Sequence, residues 1–112
     1  MIISAKIALI AFFIILVKFV TKRICNKKVD MFFMRIHKTA GYIMVGASLV
    51  HMICSFRAFF TTTIWVYVLG ALSIVAAILA FTAFKWHKKG LKWHRLFSII
   101  SVLAMLGHLI LK

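Results

Sequence analysis

Acidic residues are almost absent from this sequence: Asp30 is the only Asp or Glu, against 15 Lys and Arg. No acid lies within any of the long apolar stretches. This argues against a proton-coupled multidrug exporter, because such a transporter needs a carboxylate inside the membrane. Proline is also absent, and 65% of the residues are hydrophobic. A soluble domain so composed would expose too much apolar surface, so we expect one membrane domain covering residues 1–112.

Cysteine is scarce as well, and its two copies belong to no motif. Cys25 and Cys54 form neither a CxxCH haem-attachment site nor a CxxC metal or redox site. One lies in a basic segment and the other near the far end of an apolar stretch. We therefore expect two unpaired thiols rather than a disulfide.

Four apolar stretches are each close to the roughly 20 residues that a helix needs to cross the hydrocarbon core of a bilayer. Their ranges are 2–20, 36–56, 64–84 and 93–111. Basic residues follow the first stretch at once and no A-x-A cleavage pattern appears, so we interpret it as a span and not as a signal peptide. The sequence therefore predicts an all-α fold, a transmembrane four-helix bundle.

The basic residues indicate how the chain crosses the cell membrane. Twelve Lys and Arg lie in or beside the connections 21–35 and 85–94, and three lie on the other side: Lys6, Arg57 and Lys112. The positive-inside rule then places both termini of this multi-pass chain outside. Aromatic residues fall at both predicted interfaces, the outer pair being Trp65 and Tyr67 and the inner pair Trp86 and Trp93. Because the charges separate apolar stretches, no nucleic-acid partner is expected despite the net charge of +14.

Four of the five histidines form two pairs with equal spacing, His37 with His51 and His94 with His108. Fourteen helical steps return to within about 40° of the starting direction, so each pair shares a helix face, with its members roughly 21 Å apart along the axis. The second and fourth helices run in the same direction, which places His37 and His94 at an inner level and His51 and His108 at an outer level. A single membrane histidine could be a hydrogen-bonding residue between helices. The doubled spacing favours metal ligands.

Two imidazoles at each level suit haem better than zinc, which needs four ligands close together, usually including Cys or carboxylate. Imidazoles from opposite sides complete a six-coordinate haem iron, and the lack of CxxCH makes the haem non-covalent. We predict two haem b groups per chain. Residues on the same helix faces are expected to line the sites: Gly41, Met44, Ser48, Ser98, Ser101 and Met105.

A shift of 57 residues superposes the second stretch on the fourth. Met44 then opposes Ser101 and Ser48 opposes Met105, so that a large side chain meets a small one at both levels. The match indicates a duplicated helical hairpin.

The segments HKTAGYIMVGASLVH and HRLFSIISVLAMLGH resemble the di-haem four-helix cores of cytochrome b and of ferric-reductase-like membrane proteins. In those families, histidines with thirteen residues between them on each of two helices ligate two stacked haems that carry electrons across the bilayer. The resemblance covers mainly the second and fourth stretches and implies a small b-type membrane cytochrome. The chain contains no soluble FAD or nicotinamide domain, so the reductant is expected to come from a partner or a small molecule.

The expected function is transmembrane electron transfer, because an iron closed by two protein ligands keeps no open position for oxygen chemistry. Two alternatives stay open: a membrane protein that captures or senses haem, and a haem-carrying anchor subunit of a larger oxidoreductase. A quinol, superoxide or ferric oxidoreductase activity stays open, with quinone, superoxide or a metal ion as the electron donor or acceptor. His87 is expected to be a solvated residue of the third connection.

Overall fold

The computed structural model describes the backbone of residues 2–24, 27–61, 63–86 and 88–112, and the side chains of all of these except residues 19–24, 58 and 59. Within these ranges the chain is helical apart from short turns. It forms α1 (Ile2–Ile24), α2 (Lys27–Cys54), a short 3-10 helix (Phe56–Phe60), α3 (Ile64–Trp86) and α4 (Gly90–Leu111). The predicted all-α class with four helices is confirmed. The chain divides into two compact units, residues 1–51 and 52–112.

The helices match the predicted spans closely in the second unit and extend beyond them in the first. Both α1 and α2 continue into the segment 21–35, which the sequence had suggested as a connection. That segment contains neither proline nor glycine, and its Lys, Arg and Met residues are good helix formers. Clustered charge therefore indicates where the chain is expected to leave the membrane, but it does not indicate where a helix ends. Cys25 and His87 lie outside the described residues, and Cys54 is a free, exposed thiol.

In the first unit, an ion pair joins the end of α1 to the start of α2. Lys18 Nζ contacts the carboxylate of Asp30 and also donates to its backbone oxygen at 3.4 Å. The Lys18 side chain is 13% exposed, so the helices shield its charge from solvent. Among the described side chains of this unit, the buried ones are Phe12 and four small residues: Ala8, Ala11, Ala40 and Ser48.

The second unit is an antiparallel helical hairpin in which α3 packs along α4. The buried residues of α3 are almost all small, including Ser73 and four alanines, and those of α4 are Gly90, Ser101 and Ala104. Gly90 permits a tight turn, because a Cβ there would lie 2.9 Å from Phe84 Cα. Small residues at such positions let two helix backbones approach closely, as they do in membrane proteins.

Large apolar side chains lie on the outside of both units. Among the described side chains, eleven hydrophobic residues are buried and eight of these are alanine, whereas 35 large hydrophobic residues are exposed. This is the reverse of a soluble protein, which buries its large apolar residues. By length and composition, α3 and α4 could each cross a membrane. Trp65 lies at one end of the hairpin and Trp86 and Trp93 at the other, and their placement at membrane interfaces stays a prediction.

Candidate functional site

His94 and His108 lie on the face of α4 that packs against α3, and the ring of each contacts a backbone carbonyl of α3. The Nδ1 atom of His94 is 2.7 Å from the oxygen of Ala80, and that of His108 is 2.7 Å from the oxygen of Val66. A carbonyl oxygen can only accept, so Nδ1 is the donor in both contacts. In the neutral ring, Nε2 then carries the lone pair. Histidines that ligate metals are commonly oriented in this way, by a hydrogen bond from the other ring nitrogen to a carbonyl.

A pair of serines lies midway between the two histidine contacts. Ser73 Oγ donates to the backbone oxygen of Ser101 at 3.0 Å, and Ser101 Oγ donates to the backbone oxygen of Ser73 at 2.9 Å. From one contact to the next, the residue number rises by seven on α4 and falls by seven on α3. Three polar contacts therefore recur at intervals of two helical turns, roughly 10.5 Å, along one seam.

Glycine makes the room for the ring of His108. A Cβ at Gly70 would lie 3.0 Å from His108 Nδ1 and 3.1 Å from its Cε1. Next to this contact, a side chain of α3 packs against a glycine of α4: Leu69 covers Gly107. A Cβ added at Gly107 would lie 3.1 Å from Leu69 Cδ1. Each helix thus packs a side chain against a glycine of the other helix. This packing fixes the orientation of His108 together with the hydrogen bond.

His94 is held in a different way at the other end of the seam. Its ring lies 5.2 Å from the ring of Phe84, with an angle of 36° between the two planes. Ser98, one turn further along, donates its hydroxyl to the backbone oxygen of His94 at 2.7 Å, within the same helix. At the equivalent position of α3, one turn beyond the acceptor carbonyl, an aromatic ring packs against His94, whereas a glycine makes room for His108.

The second histidine pair lies on α2. His37 and His51 fall within one continuous helix, so the predicted spacing of fourteen residues does place them on a shared face. Both residues are half-buried, as is Met44, while Ser48 is buried. The pairing of His37 with His94, and of His51 with His108, stays a prediction.

The other predicted site residues differ in their burial and in their contacts. Ser101 is 5% exposed, and its described contact is with Ser73 of α3. Met105 is half-buried, and a Cβ at Gly41 would meet no described atom within 4 Å. The predicted opposition of Ser101 to Met44 stays a prediction, and so does the contact of these residues with a cofactor.

The 57-residue shift gives the α3 residues of the seam different counterparts in α1. Gly70, Ser73 and Ala80 of α3 correspond to Phe13, Leu16 and Arg23 in the sequence. The duplicated helical hairpin stays a prediction.

Sequence reasoning missed the residues of α3 that form the seam with α4. Gly70, Phe84 and the carbonyls of Val66 and Ala80 contact the histidines, and Ser73 contacts Ser101. A signal for them was present, because Ser73 lies seven residues from both Val66 and Ala80, the interval that separates His94, Ser101 and His108.

Among the described residues, no three His, Cys, Asp or Glu side chains form a cluster. A bis-histidine haem site requires only two such side chains. Comparison with known proteins returns no relative, since no protein-family model, curated protein or solved structure matches the chain. The resemblance to cytochrome b-like cores thus depends on the histidine motif itself.

Proposed function

We propose that the chain is a multi-pass membrane cytochrome that binds two b-type haems and transfers electrons across the bilayer. The observation that carries the proposal is the shared orientation of His94 and His108. Each donates Nδ1–H to a carbonyl of α3 at 2.7 Å, and each is thereby left with its lone pair on Nε2. Two ligand nitrogens prepared in the same way, fourteen residues apart on one helix, fit two metal centres better than two unrelated structural contacts.

The donor set matches haem b. When bound, haem supplies an iron that exchanges single electrons, and two neutral imidazoles close its axial positions. Within the hairpin, the Ala80 and Val66 carbonyls fix the ring orientation, and the small residues of α3 allow the rings to lie close to the helix. We propose that His37 and His51 of α2 would complete the two haem sites, His37 together with His94 and His51 together with His108.

The distribution of apolar side chains supports the membrane part of the proposal. Small residues line the α3–α4 seam and large residues cover the outside, as expected when lipid surrounds a helical protein. The tryptophans at both ends of the hairpin agree with an interfacial position. We propose that both termini face the outside, which places His94 at the cytoplasmic level and His108 at the outer level.

The distance between the two histidine levels supports transfer across the bilayer. Fourteen residues of helix span roughly 21 Å, most of the hydrocarbon thickness of about 30 Å. Because two protein histidines would hold each haem, the chemistry that the haem would supply is electron transfer and not oxygen activation. Quinone, superoxide or a metal ion is the proposed class of donor or acceptor.

A haem count on the purified, detergent-solubilised protein tests the proposal. We expect about two haem b per chain in a pyridine haemochrome assay, with low-spin spectra before and after dithionite reduction. His94→Ala and His108→Ala should each lose one haem, and the double variant should lose both. His87→Ala is the matched histidine control and should keep both. A colourless protein, expressed with ample haem, would overturn the proposal.

A further inference from the structure

The turn between α3 and α4 carries five cationic side chains and no anionic one. We name this group the basic turn; its members are Lys85, Lys88, Lys89, Lys92 and Arg95. All five residues are exposed. Four of them, together with Gly90 and Leu91, line an open cavity of about 460 Å³. The hairpin therefore ends in a shallow, open surface with charge of a single sign.

Side-chain carboxylates that could neutralise this surface are scarce. Asp30 is the only acidic residue in the sequence, and it forms an ion pair with Lys18 in the first unit. Because five like charges close together repel each other, an anion from outside the chain would stabilise the basic turn.

The surroundings of the basic turn indicate which anion it would take. Exposed tryptophans flank it, with Trp86 77% exposed at the end of α3 and Trp93 37% exposed in the first turns of α4. Beyond them begin the apolar outer faces of α3 and α4, the two helices that could cross a membrane. In a membrane protein, apolar surface contacts the lipid tails, an aromatic belt lies at the interface, and basic residues contact the headgroups. The residues at this end of the hairpin follow the same order.

We propose that the basic turn binds the phosphate headgroups of anionic phospholipids. The proposal rests on the membrane placement given above, but not on haem. Each basic residue near an anionic membrane surface strengthens binding by about fivefold, and this attraction is screened by salt. Three neutralised lysines should therefore weaken the retention of anionic lipid by about one to two orders of magnitude.

The test is native mass spectrometry of the full chain in detergent, with phosphatidylglycerol or phosphatidylcholine added. We expect wild type to retain phosphatidylglycerol in preference to phosphatidylcholine. The triple variant Lys88→Gln, Lys89→Gln, Lys92→Gln should lose that preference. A charge-matched control, Lys6→Gln, Arg57→Gln, Lys112→Gln, removes three exposed cations elsewhere and should keep it. Replacing the same three lysines of the basic turn by Arg should also preserve binding, which separates loss of charge from misfolding.

Two further outcomes would overturn the proposal. If wild type and the Gln triple variant retained equal amounts of phosphatidylglycerol, the basic turn would not be the lipid contact. If millimolar inorganic phosphate displaced the lipid from wild type, the surface would prefer a free anion to a headgroup. Lipid preference that persists in a haem-free preparation would leave this inference standing even where the cytochrome proposal fails.

Discussion

Gly70 of α3 and His108 of α4 are in direct contact: a Cβ added at Gly70 would lie 3.0 Å from the Nδ1 atom of His108. That same Nδ1 atom donates to the carbonyl of Val66, four residues earlier on α3. A glycine one turn beyond the acceptor therefore leaves space for the ring. The missing side chain at Gly70 therefore allows His108 the orientation in which it donates to Val66.

Gly70→Ala should displace the ring of His108 and lengthen its hydrogen bond to Val66. The added methyl group would be too close to two ring atoms, and overpacking of this kind typically costs about 1–3 kcal/mol. We expect the haem content to fall from about two toward one per chain, with the loss confined to the component that His108→Ala also removes. Optical and EPR spectra of the purified variant measure this.

The matched control for that substitution is Gly46→Ala, because a Cβ at Gly46 would meet no described atom within 4 Å. It should keep wild-type spectra. Unchanged spectra in Gly70→Ala would show that packing against α3 does not orient His108 for ligation.

The serine pair should stabilise the hairpin independently of any cofactor. Each hydroxyl of Ser73 and Ser101 donates to the opposite backbone, so Ser73→Ala removes one hydrogen bond and leaves its reciprocal in place. Interhelical hydrogen bonds in membrane proteins average about 0.6 kcal/mol, with a maximum near 1.7. Thermal unfolding of the haem-free protein in detergent should show a loss in this range for Ser73→Ala.

Thr82→Ala is the control for this measurement, because Thr82 donates to Ile78 within its own helix. It should change the stability of the hairpin less than Ser73→Ala does. Equal losses for both variants would mean that the serine pair contributes nothing particular to the packing of α3 on α4.

The ion pair of the first unit should behave as a partly shielded one. Asp30→Asn leaves the charge of Lys18, which is 13% exposed, without its carboxylate. We expect a loss of about 1–3 kcal/mol, between the values for surface and buried ion pairs. The double variant Lys18→Met, Asp30→Asn should recover part of the loss, and the exposed residue Lys28 supplies the control Lys28→Met. A double variant no more stable than Asp30→Asn would contradict this account.

Histidine pairing by level predicts which substitutions share a spectral signature. His37→Ala and His94→Ala should remove the same haem component, and His51→Ala and His108→Ala the other, because each haem needs both of its axial ligands. Difference spectra of the four single variants distinguish the two components. If His37→Ala and His51→Ala removed the same component, the assignment of ligands to levels would be wrong.

The helical class and the second hairpin could be predicted from the sequence because their signals are local. The apolar stretch 64–84 contains no charge, and α3 spans Ile64–Trp86, two residues longer at one end. Tryptophans marked both ends of the hairpin, and clustered basic residues marked the end that contains the turn. The extent of α2 could not be predicted in this way, since hydropathy identifies what fits in lipid and not where helical hydrogen bonding stops.

The orientation of the histidines could not be predicted from their spacing, because spacing fixes a helix face but not a partner. No residue type connects His94 with Ala80, because Ala80 contributes a backbone carbonyl that would be the same for any residue. Ser73 and Gly70 acquire their roles only when α3 and α4 are placed in register. The register depends on close packing of small residues along the whole seam, which is a property of both helices together.

Electron transfer through reconstituted vesicles tests the proposed function most directly. The haem-loaded protein is placed in liposomes that enclose ferricyanide, and an impermeant reductant is added outside. We predict that wild type reduces the trapped ferricyanide, while His108→Ala, which lacks one of the two haems, does so far more slowly. Equal, slow rates for wild type and His108→Ala, at matched protein content and vesicle tightness, would contradict transmembrane electron transfer and favour a role in haem capture.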